Sequence, residues 1–288
     1  MNNKTKKKGF WQQAGWPSII TAIASLVVII LFAFVPNNNS SDYHGIFGVI
    51  AGFFANSILG VSRIFGNSYA FGIIIFTVLI RFLILPLMVY AMGSQKNMAK
   101  VTPQIKKIQD KYRGKRDRDS MMNMQAETSA VYKAAGVNPY SSMLPLLIQL
   151  PVIWALFQAI QSTSILRTGS LLWLQLGQTD PYYVLPFLAA LFTFLSSWMS
   201  TMAMGNSQPG FAKAMPYIFP ILIFFPALAF PAAISLYWTT TNAFQLVQTF
   251  ILQNPFKARA ERRAEAKAEA DRKKAIRKTL KKARKKRK

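Results

Sequence analysis

Arg81 is the residue on which any chemistry of this chain must turn. It sits in FGIIIFTVLIRFLILPLMVY, residues 71–90, an uninterrupted apolar run apart from Thr77 and Arg81. About twelve residues of the segment precede it and about nine follow, so at 1.5 Å per residue a helix crossing a bilayer holds it near the midplane. A central Arg costs at least about 2.5–3.5 kcal/mol there, and its depth limits snorkelling to either surface. All ten acidic residues fall outside the apolar runs, so no carboxylate at membrane depth neutralises it. The guanidinium therefore needs water, backbone carbonyls or neutral side chains. The sequence offers Gln149, Gln158 and Gln161 in one run and Thr193, Ser196 and Ser197 in the next. The last run offers Trp238 to Asn242, Gln245 and Gln248, and Thr77 lies one turn before Arg81 on the same helix face. Each can be read as helix glue or as the wall of a wet cavity. The cost of Arg81 favours the cavity.

Such a cavity attracts anions but makes and breaks no bonds. The chain has no Cys and one His, His44. Thiolate nucleophiles, disulfides and thiol metal sites are excluded. A membrane-embedded protease or a carboxylate proton relay needs His or acids inside the bilayer. No catalytic residue, cofactor or metal is expected.

The elements that hold these residues follow from composition. Of 288 residues, 52% are hydrophobic and 16% charged, against about 25% charged in a soluble domain. Yet Lys and Arg number 35 against 10 acids, a net charge of +25. The two kinds of residue are segregated, as in a multi-spanning membrane protein with basic aqueous parts. The spans are expected at Pro17 to Val35, Tyr69 to Tyr90, about Ser141 to Ile160 and about Tyr182 to Ala203. The uncharged stretch 214–256 is long enough for two helices, with Pro226 and Pro231 flanking its middle. Residues 1–36 form a basic segment and a signal peptide or anchor helix. Residues 45–65, apolar but rich in Gly, read as a helix at the outer interface. A five-span core covers 69–253, and a basic tail covers 254–288. Lys and Arg counts beside the spans put the N-terminus, segment 91–138 and the tail on the cytoplasmic side.

Segment 91–138 carries ten Lys and Arg. Pro103 suits the first turn of a helix, Ile105, Ile108 and Tyr112 keep helical spacing, and Gly114 marks a turn. A return helix follows through Met121, Met122 and Met124, making a cytoplasmic helical hairpin. It serves as a solvated connector or as a docking face. The tail from Lys257 holds seventeen cations and four anions, a net +13. Lys273, Lys274, Arg277, Lys278, Lys281, Lys282, Arg284 and Lys285 concentrate this charge, which suits ribosomal RNA or anionic lipid. No aromatic residue lies among these cations, so base-specific reading is not expected.

These features resemble the YidC family of membrane protein insertases, related to the mitochondrial oxidase-assembly and chloroplast Alb proteins. Four segments between about residues 45 and 256 carry the resemblance. They are the span with Arg81 followed by Pro86, and the hairpin pattern Pro103, Ile108, Lys111, Tyr112. The third is GVNPYSSMLPLLIQLPVIWALFQAI, with Asn138, Pro139, Leu144, Pro145, Leu147, Gln149 and Pro151. The fourth is FPAAISLYWTTTNAFQLVQTFILQ, with Tyr237, Trp238, Asn242 and Gln248. The resemblance implies an all-α polytopic membrane protein: five helices around a hydrophilic groove, closed outward and open to the cytoplasm and to lipid. It implies Arg81 as the groove cation, Thr77 as its neighbour and Trp238 as a groove or substrate-contact residue, with Gln149 and Asn242 among the matched polar positions. It also implies nascent membrane proteins as clients, the ribosome as partner, and action alone or with the Sec translocon and the signal recognition particle pathway. The short external region matches the Gram-positive type. Two departures stand out. Gram-positive members often carry a lipobox Cys, absent here. The family's polar Gln in the third core span is missing from LFTFLSSWMS, where Ser196 or Ser197 stands in. The alternative from the residues alone is a small-anion channel with Arg81 as selectivity cation. A structural tether acting only through the tail is a third reading, which leaves Arg81 unused.

Overall fold

A computed structural model describes residues 15–33, 45–138, 140, 143–204 and 210–286. The architecture is all-α: α1 Trp16–Ala33, α2 Gly45–Ile64, α3 Tyr69–Lys111, α4 Arg118–Ala135, α5 Leu144–Ser162 and the single turn α6 Ser164–Arg167. A two-residue ladder follows, β1 Ser170–Leu171 with β2 Leu174–Gln175. Then come α7 Val184–Met204, α8 Gly210–Ala229, α9 Ala232–Gln253 and α10 Pro255–Lys286. By length and composition α1, α3 and α7 are each able to cross a membrane; apolar stretches of α2, α5 and α8 are shorter. The chain is an all-α polytopic membrane protein.

The expected span Tyr69 to Tyr90 and the first hairpin helix are one helix, α3, of 43 residues. At 1.5 Å per residue it is about 65 Å long, twice a hydrocarbon core of about 30 Å. Pro103 opens no helix; it lies inside α3. The run from Ala91 to Val101 is rich in Ala, Met, Gln and Lys, which carry helix through the surface region. Pro103 costs a hydrogen bond and a ring contact with the preceding turn, about 3 kcal/mol, which the helix-forming run offsets. In the 214–256 stretch the break falls at Phe230–Pro231 alone, since Pro226 stays within α8.

Helix α9 is the hub, packed on α7 and α3; α8 lies on α7, and α1 and α2 lie on α3. The core joins Ile58, Ile73, Phe76, Leu156, Ile160, Leu176, Ala232 and Ala233. Close backbone approach sets the α2–α3 contact. A Cβ on Gly72 would overlap Ser62 Oγ and lie 2.7 Å from the Ile58 carbonyl oxygen. Helix α1 packs in the same way, since a Cβ on Gly60 would fall 2.5 Å from the Phe32 carbonyl oxygen. Ser57 Oγ also donates to the Ile29 carbonyl at 3.4 Å. Helix α2 matches its expected bounds, with Ala51, Ala55, Ile58 and Val61 buried.

The 163–183 connector pins the start of α9. The Ala232 N–H donates to Gln178 O at 2.6 Å and the Ala233 N–H to Leu176 O at 3.1 Å, satisfying two first-turn donors that a helix cannot satisfy itself. Asp180, only 3% exposed, holds the connector's end. Its Oδ1 accepts from Trp173 Nε1 and the Tyr182 N–H, both at 3.1 Å, and its Oδ2 from the Leu185 N–H at 2.7 Å.

Candidate substrate groove

Arg81 is on the α3 face turned to α9 and is 6% exposed. Its Nη1 donates to Gln245 Oε1 of α9 at 3.4 Å. Among the described residues no carboxylate lies within ion-pair distance of Arg81. A neutral amide is its partner, and Gln245 Nε2 in turn donates to Thr249 Oγ1 at 3.4 Å.

Gln245 is also part of the wall of an open cavity of about 480 Å³. Helix α7 supplies Thr193, Ser196, Ser197, Ser200 and Thr201; α9 supplies Asn242 and Gln245; the distal part of α3 supplies Gln95 and Thr102. Met215, Pro216 and Phe219 of α8 form an apolar side. The polar wall follows from helical spacing. Ser196, Ser197, Ser200 and Thr201 recur at three and four residues, and Asn242 and Gln245 lie three apart. Several hydroxyls and amides are partly satisfied within the bundle. Thr193 Oγ1 donates to Ala189 O at 2.7 Å, Ser196 Oγ to Thr193 O at 3.1 Å, and Asn242 Nδ2 to Ala189 O at 3.1 Å. Their remaining lone pairs and the neutral wall suit a hydrated polar segment, while the α8 side suits an apolar one.

The expected site residues divide. Ser196, Ser197 and Asn242 come together on the groove wall, and Arg81 reaches it through Gln245. Thr77 is 1% exposed and donates to its own helix at Ile73 O, 2.6 Å away. Gln149 Nε2 donates to the Tyr237 hydroxyl at 2.9 Å, tying α5 to α9. Trp238 lies edge-on to Phe230 with ring centroids 5.5 Å apart, and Phe230 lies edge-on to Phe157 at 5.9 Å. Thr77, Gln149 and Trp238 do not line this cavity. Sequence reasoning named Gln245 only among available polar groups. Its spacing of three from Asn242 is the signal that the two share a face.

Beyond the groove α3 and α4 form the expected hairpin. Lys111 Nζ and the Tyr112 hydroxyl both donate to Glu127 Oε1, at 2.5 and 2.9 Å. These bonds hold the Glu127 carboxyl below its usual range and raise the Lys111 ammonium, each through the other first and Tyr112 second. Asp117 caps α4 by accepting from the Ser120 N–H at 2.8 Å, and its bonds with Ser120 hold its carboxyl low. Gly136, at φ 65°, ends α4, with the Val137 N–H donating to Tyr132 O at 3.0 Å. The tail is helical throughout α10, with Lys273, Lys274, Arg277 and Lys278 exposed. Lys281, Lys282, Arg284 and Lys285 continue the same helix.

Comparison with known proteins gives a consistent picture. A family model described as 60Kd inner membrane protein matches residues 60–260. Over 216 residues the chain is 47% identical to "Membrane protein insertase YidC" of Pediococcus pentosaceus, covering 75% of this chain and 77% of that protein. It is 45% identical over 246 residues to "Membrane protein insertase YidC 2" of Lactiplantibacillus plantarum, covering 85% and 88%. It is 47% identical over 204 residues to "Membrane protein insertase YidC 1" of Streptococcus agalactiae, covering 71% and 74%. The polar groove, the buried cation and the basic hairpin all lie within the matched stretch, and the chain belongs to the 60Kd inner membrane protein family, that of the YidC membrane protein insertases.

Proposed function

We propose that the chain is a membrane protein insertase that admits polar segments of nascent membrane proteins through the groove. One observation carries the mechanism: a buried guanidinium, 6% exposed, is held by a neutral amide that also forms the groove wall. A charged or hydrogen-bonding segment entering hydrocarbon alone pays several kcal/mol, roughly. The hydroxyls and amides of α7 and α9 replace part of its water, and Arg81 attracts its acids. The apolar side at α8 lets a hydrophobic segment leave toward lipid. No covalent step is involved.

The groove opens to the cytoplasm in this reading, with the hairpin and α10 on that side, because the basic segments cluster there. Helices α3, α5, α7, α8 and α9 are the five core spans. Helix α1 is a resident anchor, supported by its packing on α2 and α3. Helix α2 lies at the outer interface. The ribosome, through its RNA, meets the cationic tail, which also touches anionic lipid; the Sec translocon and the signal recognition particle pathway are further partners. An anion channel would also use Arg81, but it gives no role to a groove wall with an apolar side.

The test compares insertion of an acidic-tailed client into proteoliposomes by wild type, Arg81→Lys, Arg81→Ala and Arg81→Glu. Attraction of a client carboxylate one water layer away, at about 6 Å with an effective dielectric of about 20, is worth about 3 kcal/mol. Arg81→Ala should therefore slow this client by up to about 100-fold, Arg81→Glu more, and Arg81→Lys least. Wild-type insertion by Arg81→Glu refutes attraction. Anion flux through liposomes without a client would favour the channel.

A further inference from the structure

A second cavity, of about 260 Å³, lies where α3, α7, α9 and the start of α10 meet. Val89, Met92 and Leu252 give it an apolar side; Lys96, Gln95 and Gln253 give it a polar one. We propose that it seats the phosphate and hydroxyls of an anionic glycerophospholipid headgroup. This inference needs only that the chain spans a membrane, and does not rest on the insertase mechanism.

Four observations point to that ligand. First, α7 ends at Met204 and α9 at Gln253, and Val89 lies twenty residues along α3, about 30 Å from Tyr69. The cavity is thus at the depth where hydrocarbon gives way to headgroups. Second, Lys96 has no carboxylate within 4.0 Å among the described residues, leaving its charge available to an anion. Third, Gln253 Oε1 is buried without a hydrogen-bond partner, although Gln253 lines this cavity. A buried acceptor calls for a donor. A phosphodiester has none, but a glycerol headgroup adds hydroxyls. A side-chain amide offers both donor and acceptor, so phosphate oxygens with neighbouring hydroxyls satisfy it in either orientation. Fourth, the apolar side continues outward. Val247 and Ile251 are exposed one turn apart on α9, and Leu252 is both exposed and part of the cavity wall. An acyl chain laid along that ridge stays in hydrocarbon while its headgroup reaches Lys96. A soluble phosphate has no use for the ridge.

Native mass spectrometry tests this on the full chain. The protein is equilibrated in bilayer discs of equimolar phosphatidylglycerol and phosphatidylcholine, then extracted into neutral detergent at about 1 M salt. The Debye length there is about 3 Å, so loose association with surface cations is screened. Wild type should retain one phosphatidylglycerol per chain. Lys96→Ala should lose it by at least about ten-fold, a change of about 1.4 kcal/mol. Lys96→Arg should keep it, and so should Lys100→Ala, an exposed cation one turn further along α3. Retention of phosphatidylcholine equal to phosphatidylglycerol overturns the proposal, as does wild-type retention by Lys96→Ala. A third refuting result is binding of soluble glycerol phosphate to the delipidated protein with no lipid retained, which would make the ligand a free phosphate.

Discussion

Replacing Asp180 tests how the 163–183 connector fixes the groove from a distance. Its carboxylate accepts three hydrogen bonds, and the Leu185 N–H among them is buried. Alanine leaves that N–H unpaired, at about 1–3 kcal/mol. The Trp173 and Tyr182 donors are part-buried and recover some water, so their loss adds about half as much each by the same scale. The expected cost is about 2–6 kcal/mol, a large share of a typical net stability of about 5–15 kcal/mol. Asparagine keeps one acceptor oxygen and should cost about half. The effect should travel along the chain, because the same connector supplies Leu176 O and Gln178 O to the first turn of α9. That helix carries Asn242 and Gln245. Hydrogen exchange in detergent micelles reads both ends. Asp180→Ala should expose the Leu185, Ala232 and Ala233 amides to faster exchange and lower the thermal midpoint, with Asp180→Asn between. Unchanged midpoint and unchanged exchange at Ala232 and Ala233 would show that the connector does not hold α9, and the reasoning would fail.

Two further outcomes are expected outside the bundle. Removing residues 257–288 should weaken co-sedimentation with ribosomes most at low salt and leave the remaining binding less sensitive to salt, since the net +13 of that segment acts by screened attraction; unchanged recovery at two salt concentrations would remove the tail from ribosome binding. Glu127→Gln should loosen α4 from α3, read as faster amide exchange in Arg118–Ala135, because one carboxylate oxygen joins Lys111 and Tyr112. Glu127 is held below its ordinary value, so its contribution is complete above that value and is lost as pH falls through the depressed folded one. Acidification should therefore reproduce the variant in wild type, and a hairpin equally protected at low pH would contradict this.

The spans, the hairpin and the helical tail were legible because apolar runs and charge blocks are long and local. Arg81 stood out because the cost of a cation inside a long apolar run is independent of fold. Its partner was not. Gln245 was one of several amides in the last span, and choosing among them requires the rotation of α9 against α3. The same holds for Trp238, whose edge-on contact with Phe230 depends on where the chain breaks, and that break falls at Pro231 and not at Pro226. Pro103 misled for a different reason: proline marks helix starts statistically, but the helix-forming run before it sustains α3 despite a lost bond and a crowded turn. Asp180 was visible only as an acid outside the spans, since three donors from separate turns converge on it only in the fold.

In the proposed mechanism, an amide in place of a carboxylate beside Arg81 keeps the groove's cation available to a client. Gln245 holds the guanidinium through one bond at 3.4 Å, and a bond to a charged group of this kind contributes about 1.5–3 kcal/mol net. A carboxylate at the same separation would attract it by about 5 kcal/mol at an effective dielectric of about 20. A client acid can therefore displace Gln245, whereas it could not displace a resident acid without paying back that attraction. Gln245→Glu puts this to the test. It should leave the bundle folded, since the added charge meets an opposite one, and Arg81 should become an internal pair. Insertion of an acidic-tailed client should fall towards the Arg81→Ala level, while a client with a neutral translocated segment is inserted nearly as before. If Gln245→Glu inserts the acidic client at the wild-type rate, an available guanidinium is not what the groove supplies, and its polar wall alone must account for insertion.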